Sequence, residues 1–254
     1  MERSIYRSMR LLQKEHWWFR GRRVILASLI AGLGLRSGSR ILEAGAGSGG
    51  NIALLQEFGL VSAFDMDAEA VNYCRLDTGV HSLVGSLPDE NPYQESGDFD
   101  LVVALDVLEH IGEDRESLVS LASCLAADGR LLLTVPAYQW MFSGHDRIHH
   151  HKRRYTLEGL ERVVRAAGFE VGRSGYFNSL LFPIVAAVRL GSKALSRDSR
   201  SDTKMPGQRL NASLAWIFGL EASILRRAAF PFGTSIFLIA SRRASDVASL
   251  GRAN

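Results

Sequence analysis

Three features of the sequence predict an α/β fold with helices covering both faces of a doubly wound, mostly parallel sheet. Between residues 38 and 130, short apolar runs alternate with amphipathic helical stretches, the pattern of parallel strands joined by helices. A glycine-rich segment, "ILEAGAGSGGN", leaves the first apolar run and enters the first of these helices. Roughly twenty residues further on, Asp65 closes the second run, where a carboxylate can accept hydrogen bonds from both hydroxyls of a ribose.

Taken in order, the chain opens with a helical pattern over residues 4–33. Strands are predicted at 40–44, 61–64, 81–84, 101–105 and 130–135, each a short apolar run bounded by turn residues. The helices between them fall at 51–58, 68–74 and 115–126, the last closed by a turn at Asp128 and Gly129. A helix at 156–167 ends at Gly168 and precedes a strand at 169–173, and the last strand is expected at 234–241. The connection between those two strands is far longer than the usual loop of about 4–6 residues. It reads as an apolar helix (178–195), a polar breaker (196–207) and a second helix (210–228). The predicted organisation is an N-terminal segment (1–37), a core (38–174 with 234–243), an inserted helical subdomain (175–233) and a tail (244–254).

The chain has 254 residues, 46% of them hydrophobic and 22% charged, enough for one sizeable core. Lys and Arg total 30 against 27 Asp and Glu, a net charge of only +3, so composition gives no polycationic surface and nucleic acid is not an expected partner. Cys74 and Cys124 form no CxxC pair, and the N-terminus lacks a secretory apolar run. No segment reaches the roughly 18–20 apolar residues of a membrane span; "LLFPIVAAV" is short and carries Pro183. The expectation is a cytoplasmic protein with reduced cysteines.

By itself the glycine segment is compatible with two cofactors. Gly45, Gly47 and Gly50 satisfy the dinucleotide pattern GxGxxG, so an NAD-dependent oxidoreductase fits it. Glu43, Gly45, Gly47 and Gly49 give ExGxGxG, the fourth strand runs into "ALDVLEHI", and the N-terminal segment carries "EHWWFRGRR". Together these resemble the class I S-adenosylmethionine-dependent methyltransferases, in particular the bacterial type 11/12 subgroup. The resemblance implies a seven-stranded Rossmann-like sheet whose last strand is antiparallel, with S-adenosyl-L-methionine across the carboxyl ends of strands one to four and S-adenosyl-L-homocysteine as product. It implies that Glu43, Gly45, Gly47 and Gly49 form the cofactor loop, that Asp65 holds the ribose and that Met66 packs on adenine. Ser86 and Leu87 match the loop after strand three, where the family commonly has an Asp. Asp106 and Val107 fall beside the methionine moiety, and Glu109 and His110 shape the loop.

Trp17, Trp18 and Phe19 either staple a helix onto the sheet or form a lid that excludes water from the methyl donor; the resemblance favours the lid. Arg20, Arg22 or Arg23 would then reach an anionic group.

Four of the seven histidines stand in "SGHDRIHHHKRRYT", directly after the fifth strand, at the edge where parallel sheets bind ligands. Neighbouring side chains of an extended run point to opposite faces, so the triplet does not aim at one ion and no metal is assigned. A short basic loop without other basic stripes is weak evidence for nucleic acid. A solvated loop ahead of a helix capped by Thr156 is a further reading. With the resemblance, the stretch reads as the acceptor side: His145 or His151 as general base, Asp146 orienting a histidine, Arg154 pairing with an acceptor phosphate or carboxylate, and Tyr155 closing the pocket. The expected activity is methyl transfer to an oxygen or nitrogen of a polar, anionic small molecule, a secondary metabolite or a cell-envelope sugar or lipid-linked intermediate. A non-catalytic S-adenosylmethionine-binding module is the remaining alternative. The insert over 177–228 suits contact with a lipid tail or membrane surface, a homodimer interface, or additional core.

Overall fold

All seven apolar runs become strands of one sheet. They are β1 (Arg40–Ala44), β2 (Leu60–Asp65), β3 (His81–Val84), β4 (Phe99–Leu105), β5 (Leu125–Pro136), β6 (Phe169–Phe177) and β7 (Ser235–Arg242). The computed structural model describes residues 10, 12–194 and 205–243. The sheet order is β3-β2-β1-β4-β5-β7-β6, with β7 antiparallel to both its neighbours and the other pairs parallel. Chain order reverses between β1 and β4, so the connections leaving their carboxyl ends diverge and open a crevice there.

The helices are α1 (Trp17–Ala31), α2 (Ile52–Gln56), α3 (Ala68–Thr78), α4 (Asp114–Cys124), α5 (Gly144–Ile148), α6 (Leu157–Ala166), α7 (Phe182–Ala194) and α8 (Gln208–Leu225). On one face, Ile25, Leu26 and Leu29 of α1 and Phe218 and Leu225 of α8 cover Ile41, Leu101, Leu132 and Phe237. On the other, Leu118 and Leu121 of α4 and Leu160 and Val164 of α6 cover Leu42, Val102, Leu131 and Leu238. Each such buried side chain contributes about 1.5–3 kcal/mol, which is why the alternation of apolar runs was enough to locate the layers.

Two boundaries differ from the sequence reading for visible reasons. The helix expected through residue 126 stops at Cys124, because the fully buried Leu125 already pairs with Phe99 of β4. Residues 126–129 then form a bulge, and a Cβ on Gly129 would stand 2.7 Å from the Phe99 carbonyl. The first helix of the insert begins at Phe182 rather than at 178: Asn178 takes a φ of +55°, and Ser179 and Leu180 donate their N–H groups to the buried Glu221 of α8.

The insert is not a separate body. Phe218, Ala222 and Leu225 belong to the same cluster as the residues of α1. Asn211 of α8 donates to the Glu15 carbonyl (2.8 Å) and accepts from Trp17 N (2.8 Å), fixing the start of α1. Residues 195–204, most of the expected breaker, and the expected tail 244–254 lie outside the described residues. Among the described residues no helix is long and apolar enough to cross a membrane, and Cys74 and Cys124 are buried and unpaired.

The α1–α8 contact depends on a missing side chain: a Cβ on Gly21 would lie 2.5 Å from the Phe218 ring and 2.8 Å from its Cβ. Gly21→Val is therefore expected to cost about 1–3 kcal/mol through overpacking. In thermal melts, combining it with Phe218→Leu should lose less than the sum of the two single changes. A Gly21→Val protein as stable as the wild type would contradict this packing.

Candidate active site

A cavity of about 990 Å³ occupies the crevice at the carboxyl ends of β1, β2 and β4, roofed by α1 and closed at one end by the histidine stretch. Its two ends are chemically distinct.

The first end is built by the turn from β1 into α2. Gly45 and Gly47 line it at φ +70° and +55°; a Cβ on Gly45 would stand 2.6 Å from Val107, and one on Gly47 would meet nothing within 4 Å. The loop backbone at Gly47 is thus open to whatever the cavity holds. Asp65, at the end of β2, accepts from Gly47 N (2.7 Å) and Asp67 N (3.0 Å), so the same carboxylate holds the glycine loop and faces the cavity. Met66 lies along this wall 74% exposed. Ser86, whose hydroxyl donates to Glu90 (2.9 Å), and Leu87 also line it.

Two members of the expected loop set are not cavity residues. Gly49 turns toward α3, where a Cβ would be 3.0 Å from Cys74 Sγ. Glu43 is buried under the loop and accepts from Asn51 Nδ2 (2.8 Å), which ties the end of β1 to the start of α2. Both shape the loop from beneath.

Between the two ends stands Asp106, at a φ of +59° directly after β4. Arg22 of α1 reaches its Oδ2 at 2.7 Å and the Thr134 hydroxyl at 2.9 Å, while that hydroxyl donates to Asp106 Oδ1 at 3.3 Å. The anion that Arg22 meets is therefore one of the protein's own. Trp17, Trp18 and Phe19 line the roof, with the Arg22 guanidinium 5.0 Å from the Trp18 ring centroid. His16, which caps α1 through Nδ1, lines it too, with a buried Nε2 that has no partner.

The second end is organised by Asp146. Ser143 and Asp146 form a capping box that starts α5, and the fully buried carboxylate also meets His151 Nδ1 (3.0 Å), Arg154 Nε (2.7 Å) and Arg154 Nη2 (3.1 Å). Burial pushes the Asp146 carboxyl up, but the hydrogen bonds from His151 and Arg154 outweigh it and hold the group well below the usual range. Arg154, expected to grip an acceptor anion, is instead paired bidentately inside its own chain and also donates to the Ala137 carbonyl (3.2 Å). Tyr155 does not close the pocket. It turns into the core beside β5, where its hydroxyl donates to Asp114 Oδ2 at 2.9 Å and burial raises its pKa.

His145, His149 and His151 all reach the cavity, with ring centroids 4.3 Å apart for His145 and His149 and 6.2 Å for His149 and His151. Burial first, then the neighbouring His149, lowers His145 to about 3, and its Nδ1 has no partner. Burial and the other histidines likewise lower His110 to about 3. The His110 and His145 rings are neutral imidazoles at physiological pH. Lys152 and the buried Arg189 of α7 also line this end, Arg189 donating to the Ser143 hydroxyl. The triplet converges because α5 and a left-handed His150 (φ +57°) break the extended geometry assumed from sequence.

A family model described as a methyltransferase domain matches residues 18–173. No curated protein matches the chain. Among solved structures, the chain resembles the methyltransferase in a complex with the Haloferax volcanii Trm112 methyltransferase activator (TM-score 0.60, 19% identity, covering 92% of this chain and 92% of that one). It also resembles an S-adenosylmethionine-dependent methyltransferase from Mesorhizobium loti (TM-score 0.56, 16% identity, 84% and 94%). A third is the Haemonchus contortus phosphoethanolamine N-methyltransferase 2 in complex with S-adenosyl-L-methionine (TM-score 0.55, 18% identity, 85% and 51%).

Glu43 gives this site a pH signature. Burial raises its carboxyl from 4.5 to about 7, against the Asn51 hydrogen bond and the Arg22 charge. A raised folded-state pKa means that the stability contributed by the protonated form is complete below about pH 4.5 and is lost as the pH rises through about 7. Glu43→Gln keeps an acceptor for Asn51 and cannot ionise. Its melting temperature is expected to match the wild type at low pH and exceed it above neutrality; parallel pH profiles would contradict a buried, strained carboxylate.

Proposed function

The chain belongs to the methyltransferase-domain family and takes its methyl group from S-adenosylmethionine, and on that premise we propose that the histidine end of the cavity receives the methyl acceptor, an oxygen or nitrogen of a polar, anionic small molecule. The observation that carries this reading is the cluster of histidines at the far end of the cavity that begins at the glycine loop, with His110 and His145 partly buried and neutral.

The residues of the first end fit the donor. Gly47 leaves an open cradle, Asp65 offers a cavity-facing carboxylate with acceptor capacity beyond its two backbone bonds, and Met66 offers an apolar surface. Gly45, Gly47, Asp65, Met66, Ser86, Leu87, Asp106 and Val107 would hold it. When bound, the donor supplies an electrophilic methyl group on a sulfonium.

The chain's own residues then have three tasks. The roof of Trp17, Trp18 and Phe19 excludes water, which favours a reaction that disperses charge. The clamped Asp146, through His151 and Arg154, keeps the far wall rigid, and alignment of acceptor and methyl supplies much of the rate. His145 Nδ1 accepts the hydrogen of the acceptor O–H or N–H and directs its lone pair toward the methyl. A weak base suffices there, because an oxygen that has gained a methyl while keeping its proton is a far stronger acid than the starting hydroxyl. Lys152 and Arg189 suit an anionic group on the acceptor.

A second reading concerns where the acceptor comes from. On the outer face of α8, Trp216, Leu220 and Ile224 are 66%, 43% and 45% exposed at helical spacing, with Arg209 and Arg227 at either end of that face. In residues 178–194 and 205–228 the sole acid, Glu221, is fully buried. Ile184 and Val188 of α7 are both exposed and part of the cavity wall. An apolar stripe with a tryptophan and flanking arginines suits the surface of an anionic bilayer, from which a lipid-linked acceptor would enter between these side chains.

Calorimetric titration is expected to show binding of S-adenosylhomocysteine and none of NAD; the reverse would overturn the cofactor assignment. For an acceptor found by screening hydroxylated and amino compounds, His145→Ala should lower kcat by about 10²–10⁴-fold with unchanged S-adenosylhomocysteine affinity. An unaltered kcat would remove His145 from the reaction. In sedimentation with vesicles, the protein should pellet with phosphatidylglycerol-containing but not with purely zwitterionic lipid, and Trp216→Ser with Leu220→Ser should release it. Indifference to that pair would leave the stripe without a membrane role.

A further inference from the structure

At the acceptor end, three potential ligand atoms converge: a Glu109 carboxylate oxygen and one ring nitrogen each from His110 and His151, all within 4.8 Å of one another. Glu109 is fully buried, and neither of its carboxylate oxygens has a hydrogen-bond partner. A buried carboxylate without a donor is costly and calls for a proton or a cation. His151 already has an outer partner, its Nδ1 meeting Asp146 Oδ1 at 3.0 Å, which leaves Nε2 for a ligand. A carboxylate partner of this kind is what orients a histidine around a metal.

The two segments are held in register independently of any ion. Lys152 N donates to the Glu109 carbonyl at 2.7 Å, and the His110 and His151 rings pack edge to face at 4.6 Å. The charged groups around Glu109 are the carboxylates of Asp106 and Asp146 and the guanidinium groups of Arg22 and Arg154, with Lys152 and Arg189 lining the same end of the cavity.

We propose that Glu109, His110 and His151 bind one divalent first-row transition ion, although the sequence suggests no metal. Two imidazoles and one carboxylate favour such an ion over magnesium or calcium, and leave positions open for an acceptor oxygen. The role of the ion rests on the methyl-transfer reading of the cavity. Held at the open position, an acceptor hydroxyl would lose proton affinity and pass its proton to His145 Nδ1, the base of that reading. Its oxygen lone pair then forms the O–C bond as the donor's S–C bond breaks and that electron pair stays on sulfur.

The test is titration of the chelator-treated full chain with Co²⁺, followed by visible absorption and calorimetry, with S-adenosylhomocysteine binding measured on the same samples. Wild type is expected to bind one equivalent with a ligand-field spectrum. Glu109→Gln and, separately, His110→Ala should each weaken Co²⁺ binding about tenfold or more while leaving S-adenosylhomocysteine affinity intact, which also shows that the variants fold. Absence of Co²⁺ binding, or binding that neither variant alters, overturns the metal site even if S-adenosylhomocysteine binds. One-equivalent Co²⁺ binding lost in both variants, with no binding of S-adenosylhomocysteine to wild type, upholds the site and overturns the methyl-transfer reading instead.

Discussion

The pairing of the buried Arg22 with the cavity-facing Asp106 joins the roof of the cavity to its floor. Asp106 holds a left-handed φ of +59°, which a residue with a side chain sustains only where its surroundings over-determine it. Here they do: its N–H bonds the Thr134 carbonyl at 2.9 Å, its two oxygens meet Thr134 and Arg22, and Val107 after it packs where a Cβ on Gly45 would collide. Removing Asp106 would leave the buried Arg22 guanidinium without its carboxylate, which destabilises the fold. Because Arg22 comes from α1, and α1 is seated on α8 through Gly21 and Asn211, the roof and the insert are tied to the strand ends.

That joint stands between two chemically distinct ends of the cavity. Toward β1 and β2, the glycine loop and the Asp65 carboxylate line the interior, an arrangement suited to the hydroxyls of a ribose. Toward the histidine stretch, burial keeps the His110 and His145 rings neutral, while the Asp146 carboxylate is locked against the Arg154 guanidinium. A sulfonium placed between the two would meet aromatic rings above and neutral nitrogen lone pairs ahead.

Much of this was legible in the sequence, because it depends on local pattern. The strand positions follow from apolar alternation, the glycine loop from its composition, and the place of the histidine stretch from its following β5. What was not legible depends on pairing at a distance. A guanidinium reads the same whether it faces an acceptor or a carboxylate of its own chain, so Arg22 and Arg154 gave no sign of Asp106 and Asp146. Glu109 looks like an ordinary polar loop residue until the fold buries it without a partner. Tyr155 could have been placed correctly: next to Arg154 in an extended segment, it must face the other way, into the core.

The way a donor lies across that joint is the most direct test of the site. A crystal structure with S-adenosylhomocysteine is predicted to place both ribose hydroxyls within hydrogen-bond distance of Asp65, the adenine against Met66, and the sulfur past Asp106 facing His145 and His151. Ligand density elsewhere on the protein, or a sulfur turned away from the histidines, would contradict it.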